Sequence, residues 1–332
     1  MSLPPVSVII PALDSAETLP AALDSIAAQD YPNIVEVVVA AGDAATAAVA
    51  RGRGAVVVDN PSGRTPVGLN LALAATTGEV IVRCDAQSEL SPGYVSRAVQ
   101  TLEETGADNV GGMQIPVGST FKQKAIAAAM ASPLGAGDAR YRVGGEAGPA
   151  ETVYLGVYRR ATLERLGGFD ESFLRTQDYE LNHRINQSGG IVWFDPGLET
   201  RYRPRKTLRS LARQYHDYGR AKRLFARKHR GGLRPRQMAP PVLVVVLAVS
   251  LLGAVFEPRL LVVPAAYLGL LIVGGLLTIP RAGAAALLVP IALAVMHLSW
   301  GLGFLRETSV PVEHGGPGPD ETRADLGSPG AS

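Results

Sequence analysis

The sequence predicts an α/β fold: a doubly wound, mainly parallel sheet followed by a membrane-spanning helical region. Three observations lead there. Short apolar runs alternate with helix-patterned segments through residues 1–200. After Gln237 the chain is almost continuously apolar as far as Leu305, and hydrophobic residues make up 47% of the whole. Between these halves, from Arg201 to Arg236, fourteen Lys and Arg accompany a single acid, Asp217. That block carries +13 in a chain of net charge +2, so the remainder carries −11. A local excess of this kind suits an anionic membrane surface or an anionic substrate.

The elements follow in order. Val6–Ile10 is an apolar run ending in Pro11 and reads as a central strand. Asp14 and Glu17 have capping-box spacing, which makes Asp14 the N-cap of a helix carrying Leu19, Leu23 and Ile26. Asp30-Tyr31-Pro32 ends that helix. Strands follow at Ile34–Val39 and Ala55–Val58, with room for a helix between them. Thr65–Thr77 is a helix closed by Gly78. Val80–Cys84 is a buried strand that stops on Asp85. A side chain at the C-terminal end of a parallel strand faces the crevice where open α/β sheets bind ligands. Asp85 would meet a ligand or a metal there; the plainer alternative is a turn-forming Asp ahead of the helix that starts near Ser91-Pro92.

Beyond that point, Ser91–Thr105, Phe121–Met130, Ala161–Leu166 and Tyr179–Gln187 read as helices. Asn109–Met113, Thr152–Arg159 and Ile191–Phe194 read as strands, and Ser132–Ala150 as a Gly-rich, charged loop. Arg205–His229 is a long basic helix with a partial apolar stripe at Leu208, Leu211, Tyr215, Tyr218 and Leu224. It suits either the plane of a membrane surface or the flank of the domain. Met238–Phe256, Leu260–Ile279 and Ala282–Leu305 are each near the ~20 residues that span a bilayer. The first two carry no charged residue, and Ala282–Leu305 holds only His297 as an ionisable group; it is either functional or bonded between helices.

The division expected is therefore an α/β domain over 1–200, an interfacial helix over 201–237, a membrane region of about three helices over 238–305 and a disordered tail over 306–332. The positive-inside rule places the basic block, and the domain before it, in the cytoplasm of a multi-pass cell-membrane protein. Three complete spans put the tail outside; a re-entrant stretch keeps it inside. Cys84 is the one cysteine, which excludes an internal disulfide framework and a Cys/His metal cluster. The N-terminus has no basic n-region, so no cleavable signal peptide is expected. A nucleic-acid partner is not expected.

Val6 to Tyr218 resembles glycosyltransferase family 2, inverting enzymes of the GT-A fold, which is Rossmann-like. Four segments carry the resemblance: Val6-Ser-Val-Ile-Ile-Pro-Ala12 with Leu23 to Pro32, Ile81 to Gln87, Leu166-Gly-Gly-Phe-Asp-Glu171, and Thr176 to Arg184. Within the family it is most similar to membrane-bound glycosyltransferases of succinoglycan biosynthesis, through Asn60-Pro61, Pro66, Leu69-Asn70, Asp108 to Gly112, Gln177 to Glu180 and Arg213 to Gly219.

The resemblance implies transfer of a sugar from a nucleoside diphosphate, a UDP-sugar being favoured, to a lipid-linked or polysaccharide acceptor at the membrane. It implies Asp178 as general base and Asp85 with Gln87 as ligands of Mg²⁺ or Mn²⁺. It places Pro11, Ala12, Asp14, Asp43, Arg64, Asn70, Asp85, Ala86 and Gln87 on the donor side, and Gln177, Glu180 and Arg184 on the acceptor side. Three departures stand out. Gln87 replaces the second acid of the family's DxD, and an amide oxygen is the weaker ligand. Asp14-Ser15 stands where Asn-Glu is usual. Ala40-Ala41-Gly42-Asp43 stands where the family has an acidic stretch that contacts the nucleobase. The alternatives are a polyprenyl-phosphate glycosyltransferase, whose phosphate acceptor needs no general base, and a non-catalytic partner in polysaccharide assembly.

Overall fold

The computed structural model describes residues 3–229 and 232–306. In chain order its elements are β1 (Val6–Ala12), α1 (Leu19–Ala27), β2 (Ile34–Ala41), α2 (Ala44–Gly52), β3 (Val56–Asp59), α3 (Thr65–Ala74), β4 (Val80–Arg83), β5 (Ser88–Leu90) and α4 (Tyr94–Thr105). There follow β6 (Asn109–Pro116), α5 (Phe121–Met130), α6 (Pro133–Ala136), α7 (Arg140–Val143), β7 (Gly148–Pro149), β8 (Tyr154–Arg159), α8 (Arg160–Arg165), α9 (Gln177–Gln187) and β9 (Val192–Tyr202). The C-terminal part is helical: α10 (Leu208–Lys228), α11 (Pro235–Gly253), α12 (Val262–Leu277), α13 (Ile279–Ala282) and α14 (Val289–Leu305), with short 3₁₀ turns before α12 and α14.

The strands form one sheet in the order β3-β2-β1-β4-β8-β6-β9-β5, with β7 also paired to β9. β3, β2, β1 and β4 run parallel, as do β6 and β9; β8 is antiparallel to both of its neighbours. The alternating β-α pattern of the first half required this, because a strand returning parallel to its predecessor needs a crossover helix. The central strands are apolar on both faces, and Val8, Ile9, Ile10, Val38, Val39, Ile81 and Val82 are fully buried.

Several elements differ from expectation for local reasons. β1 continues through Pro11 to Ala12. Ile9 bonds toward β4, accepting from Cys84 N–H, so Pro11 faces the same side, beyond the point where β4 ends. No ladder bond is lost there, which is where a strand tolerates proline. Asp14 is not the N-cap of α1. The helix starts at Leu19, with Thr18 before it and Pro20 in its first turn, while Asp14 adopts φ 49°, a left-handed turn. Proline is favoured at a helix start, and here that preference outweighs the capping-box spacing. α3 ends at Ala74, and Gly78 instead donates to Ser7 Oγ at 2.8 Å. The segment expected as a loop over 132–150 contains α6, α7 and β7. β9 runs eight residues past Phe194 and pairs with β5 and β6.

The basic helix α10 lies against α14. A Cβ at Gly219 would sit 2.0 Å from Trp300 O, and one at Gly303 would sit 2.1 Å from His216 O. Small residues let the two backbones approach closely, as between membrane helices. α10 thus flanks the helical domain along one side. Three helical segments, 236–253, 258–277 and 279–305, are long and apolar enough to cross a membrane. His297 in α14 bonds between helices. Its Nε2 faces Leu134 O at 2.8 Å, and a carbonyl only accepts, so Nε2 carries the proton and Nδ1 accepts from Tyr267 Oη at 3.1 Å. That is the bonding role considered for it above. All of the expected disordered tail except Arg306 lies outside the described residues.

Candidate active site

β4 carries Arg83 at its C-terminal end, a cation inside an otherwise apolar strand. Arg83 is only 3% exposed. A buried cation needs a counter-charge, and Asp85 supplies it: Arg83 Nη2 and Nε reach Asp85 Oδ1 at 3.0 and 3.2 Å. The guanidinium also lies 6.0 Å from the Phe169 ring centroid. Burial pushes the Arg83 pKa down, but the Asp85 and Asp178 carboxylates more than offset this and hold it above its ordinary value. Two acids far apart in sequence therefore act on one buried guanidinium. Arg83 Nη1 is buried without a hydrogen-bond partner.

Asp178 sits in the first turn of α9, where its Oδ1 accepts from Tyr179 N–H at 2.8 Å. The residue that starts this helix, Thr176, holds φ 61°. A β-branched residue in the left-handed region is strained, and its hydroxyl is buried and unpaired. Such strain persists only where the surroundings enforce it, and it concentrates at functional sites. Tyr154, in β8, completes the wall near Asp85. Its hydroxyl lies 3.1 Å from Ser88 Oγ, and burial together with the Asp85 charge pushes its pKa well up.

The other expected site residues divide into two groups. Pro11, Ala12, Ala86 and Gln87 lie at the C-terminal ends of β1 and β4, beside Asp85 in the fold. Ala86 is buried and Gln87 exposed. Gln177 is buried beside Asp178 in α9. The second group is engaged in holding turns. Asp43 caps α2, accepting from Thr46 N–H at 2.8 Å, and receives Asp14 N–H at 2.8 Å. Burial raises the Asp43 pKa, but the bonds from Thr46, Asp14 and Ala45 outweigh it and leave the carboxyl below its ordinary value. Asn70 clamps the turn after α8, donating to Phe169 O at 2.8 Å and accepting from Phe169 N–H at 2.9 Å. Arg64 donates to Glu171 O. Glu180 is fully buried and paired to Arg184, 2.8 Å between Oε2 and Nη2, and to His229 Nε2 at 3.1 Å. Arg184 also donates to Leu166 O and Gly168 O, tying α9 to the Gly167-Gly168 turn.

The sequence from residue 4 to 216 matches the family described as glycosyltransferase like family 2. The chain belongs to glycosyltransferase family 2. It is 31% identical over 314 residues, 90% of this chain and 94% of the relative, to the succinoglycan biosynthesis protein ExoA of Rhizobium meliloti (strain 1021). In fold it is similar to a mannosyltransferase, PcManGT from Pyrobaculum calidifontis, solved with GDP-Man and Mn²⁺. That likeness has a TM-score of 0.57 at 22% identity and covers 90% of this chain and 88% of the other. It is also similar to S. aureus TarS 1-349, with a TM-score of 0.50 at 16% identity and 90% of each chain covered. The sheet is thus the GT-A sheet of this family, and the protein is a glycosyltransferase related to a succinoglycan biosynthesis protein.

Family membership directs attention to a divalent cation. Among the described residues no three His, Cys, Asp or Glu side chains come together as a metal cage. Asp85 commits Oδ1 to Arg83, while Oδ2 makes no hydrogen bond among the described residues, and the neighbouring Gln87 is exposed. One carboxylate oxygen and one amide oxygen fit a cation that takes its remaining ligands from phosphate oxygens and water.

Arg83 was the main omission of the sequence reading. The available signal was a charge inside the run Val80-Ile-Val-Arg-Cys84, which can be buried only if something pairs with it.

Proposed function

We propose that this family 2 enzyme is a membrane-anchored inverting glycosyltransferase. It moves a sugar from a nucleoside diphosphate, a UDP-sugar being favoured, to a lipid-linked or polysaccharide acceptor at the cytoplasmic face of the cell membrane. The observation that carries this reading is the convergence of Asp85 and Asp178 on the buried Arg83. Similarity to the succinoglycan biosynthesis protein supports a polysaccharide product. The three apolar helices support anchorage.

In this reading Asp178 accepts the proton of the attacking hydroxyl. The hydroxyl oxygen bonds to the anomeric carbon as the nucleoside diphosphate leaves from the opposite face, which inverts the configuration. Arg83 fixes the rotamer of Asp85 and leaves Oδ2 directed to the donor side. Asp85 and Gln87 would hold a divalent cation, which when bound would supply the charge that neutralises the departing diphosphate; the mannosyltransferase of similar fold, solved in complex with GDP-Man and Mn²⁺, supports this. Pro11, Ala12 and Ala86 line the donor side; Gln177 lies on the acceptor side.

The test is consumption of a panel of nucleotide sugars by the purified full chain in detergent, with and without Mn²⁺ and with membrane lipid extract as acceptor source. Metal-dependent turnover of one donor, lost in Asp85→Asn and Asp178→Asn, is expected. No nucleotide release from any donor would leave the non-catalytic partner as the better reading.

A further inference from the structure

A second group of cations sits where the glycosyltransferase domain meets the membrane helices. Arg142, in α7, and Arg205, just before α10, have no carboxylate within ion-pair distance among the described residues, whereas Arg97, Arg159, Arg165 and Arg184 of the same domain each have one. The Nε of Arg142 and the Nε of Arg205 are both buried without a partner. Arg142 donates only to a phenol, Nη1 to Tyr215 Oη at 3.0 Å. Gln214, itself 7% exposed, donates from Nε2 to Tyr202 Oη at 3.2 Å and to Tyr218 Oη at 3.0 Å. Each of these three hydroxyls therefore accepts a bond and has its own proton left to give. Burial pushes the Tyr215 pKa up to about 12, so that proton stays in place at neutral pH.

The group is rich in hydrogen-bond donors and poor in acceptors. Its one unpaired acceptor is Gln214 Oε1. Buried guanidinium N–H groups without an acceptor cost free energy unless a ligand supplies the oxygens. The oxygens missing here belong to an anion, and guanidinium forks and phenol hydroxyls match the several oxygens of a phosphate. The setting narrows the source. Tyr202 and Tyr215 share one hydrophobic cluster with Leu271 of α12 and Val289, Leu293 and Met296 of α14. A lipid whose tail lay against those helices would bring its phosphate within reach of this group. The cluster also borders the chemistry: the charge of Asp178 reaches Tyr141, whose ring lies 5.5 Å from the Arg142 guanidinium.

We propose that Arg142 and Arg205, with Tyr202, Tyr215, Tyr218 and Gln214, form a phosphate-binding site that holds the phosphate of the lipid-linked acceptor next to Asp178. This deepens the function proposed above and rests on it for the identity of the acceptor. The same site chemistry would also suit the diphosphate of the sugar donor, and the experiment separates the two.

The full chain is placed in phosphatidylcholine nanodiscs doped with a polyprenyl phosphate or with the uncharged polyprenol, and the retained lipid is read by native mass spectrometry. UDP binding is measured on the same samples. The wild type retains the phosphate lipid and not the polyprenol. The Arg142→Gln/Arg205→Gln double variant loses this retention about tenfold or more, as expected for lost charge-assisted bonds, and binds UDP as the wild type does. Arg209→Gln, on the exposed side of α10, changes neither. The Arg142→Lys/Arg205→Lys pair keeps the charge without the fork and retains an intermediate amount, which separates a binding defect from misfolding.

Loss of UDP binding with lipid retention intact assigns the phosphate site to the sugar donor and overturns the lipid assignment. Equal retention and equal UDP binding in wild type and double variant, or an equal loss in Arg209→Gln, overturns the site itself. Retention needs no turnover. An inactive protein that still retains the phosphate lipid therefore contradicts the transferase reading alone, and an active one that never retains it contradicts this site alone.

Discussion

The sheet of the glycosyltransferase domain and the joint between that domain and the apolar C-terminal helices are built on opposite rules. In the sheet, β1, β2 and β4 bury apolar side chains on both faces, and their one buried cation, Arg83, is matched by the carboxylate of Asp85, with only its Nη1 left unpaired. At the joint, Arg142 and Arg205 are held with nitrogen atoms buried and unpaired among tyrosines and apolar helices, and further along α10 Lys222 Nζ is buried and unpaired against Tyr179 and Phe225. The first arrangement stabilises the fold. The second costs stability, and a protein tolerates such a cost where the groups are needed for something other than folding. The comparison teaches where to look for function in this chain: at Asp85 and Asp178, where the sheet ends, and at the joint, where polar groups outnumber their partners.

Mutations can break or sharpen this contrast. The largest effect on stability is expected in the sheet layer. Leu69, fully buried on α3 against β1 and β2, should cost about 2–5 kcal/mol when changed to Ala, from lost burial and the cavity left behind. A smaller cost would mean that the sheet is less tightly built than the contrast requires; denaturant or thermal unfolding of the full chain in detergent reads it.

Next comes the contact between α10 and α14. Gly303→Val places a side chain against the His216 carbonyl and should cost about 1–3 kcal/mol by overpacking. Because α10 also carries Tyr215 and Gln214, activity should fall further than stability. Unchanged activity at reduced stability would detach α10 from function.

The joint itself is expected to respond with the opposite sign. Lys222 Nζ is buried without a hydrogen bond, 2.7 Å from the centroid of the Tyr179 ring. Burial pushes its pKa well below the ordinary 10.5, and the Glu151 and Asp178 charges oppose this only in part. Lys222→Met should therefore stabilise the chain by about 1–3 kcal/mol at neutral pH. The sign of the pH dependence follows. The folded pKa is depressed, so the unfolded chain binds the extra proton, and the wild type gains stability as pH rises toward 10.5. The advantage of the Met variant should shrink over that range in paired thermal melts. A variant less stable than wild type at neutral pH would show that Lys222 is paired in solution.

The sequence made part of this architecture legible. β1, β2 and β4 are mostly apolar runs, broken only by Ser7, Glu36 and Arg83, as suits strands buried on both faces. α5 is marked at both ends, by the Thr120–Gln123 capping box and by the break at Ser132-Pro133. β9 was not readable past Phe194, because Pro196-Gly197 looks like a turn; the sheet absorbs them with a register shift opposite Gly111 and Met113. Asp14 misled because capping spacing is a local signal, and Pro20 decided the helix start. At the site, Asp85 was visible because a carboxylate closing a parallel strand has a predictable outlook, whereas Asp178 was reached only through the family resemblance of Thr176 to Arg184. Glu180 and Arg184 were placed on the acceptor side by the resemblance alone; in the fold they bond to the Gly167-Gly168 turn and His229, partners that no local pattern announces. Arg142 and Arg205 acquire meaning only from α10 and α14, which tertiary packing alone brings to them.

The central claim is the division of labour between Asp85 and Asp178. It is tested most directly by measuring sugar-donor binding and turnover together in the two Asn variants. The account predicts that Asp178→Asn binds the nucleotide sugar as the wild type does and turns it over about 10²–10⁴-fold more slowly, while Asp85→Asn binds it weakly. An Asp178→Asn enzyme that still transfers sugar at the wild-type rate would contradict it, and would point instead to an acceptor, such as a lipid phosphate, that needs no base.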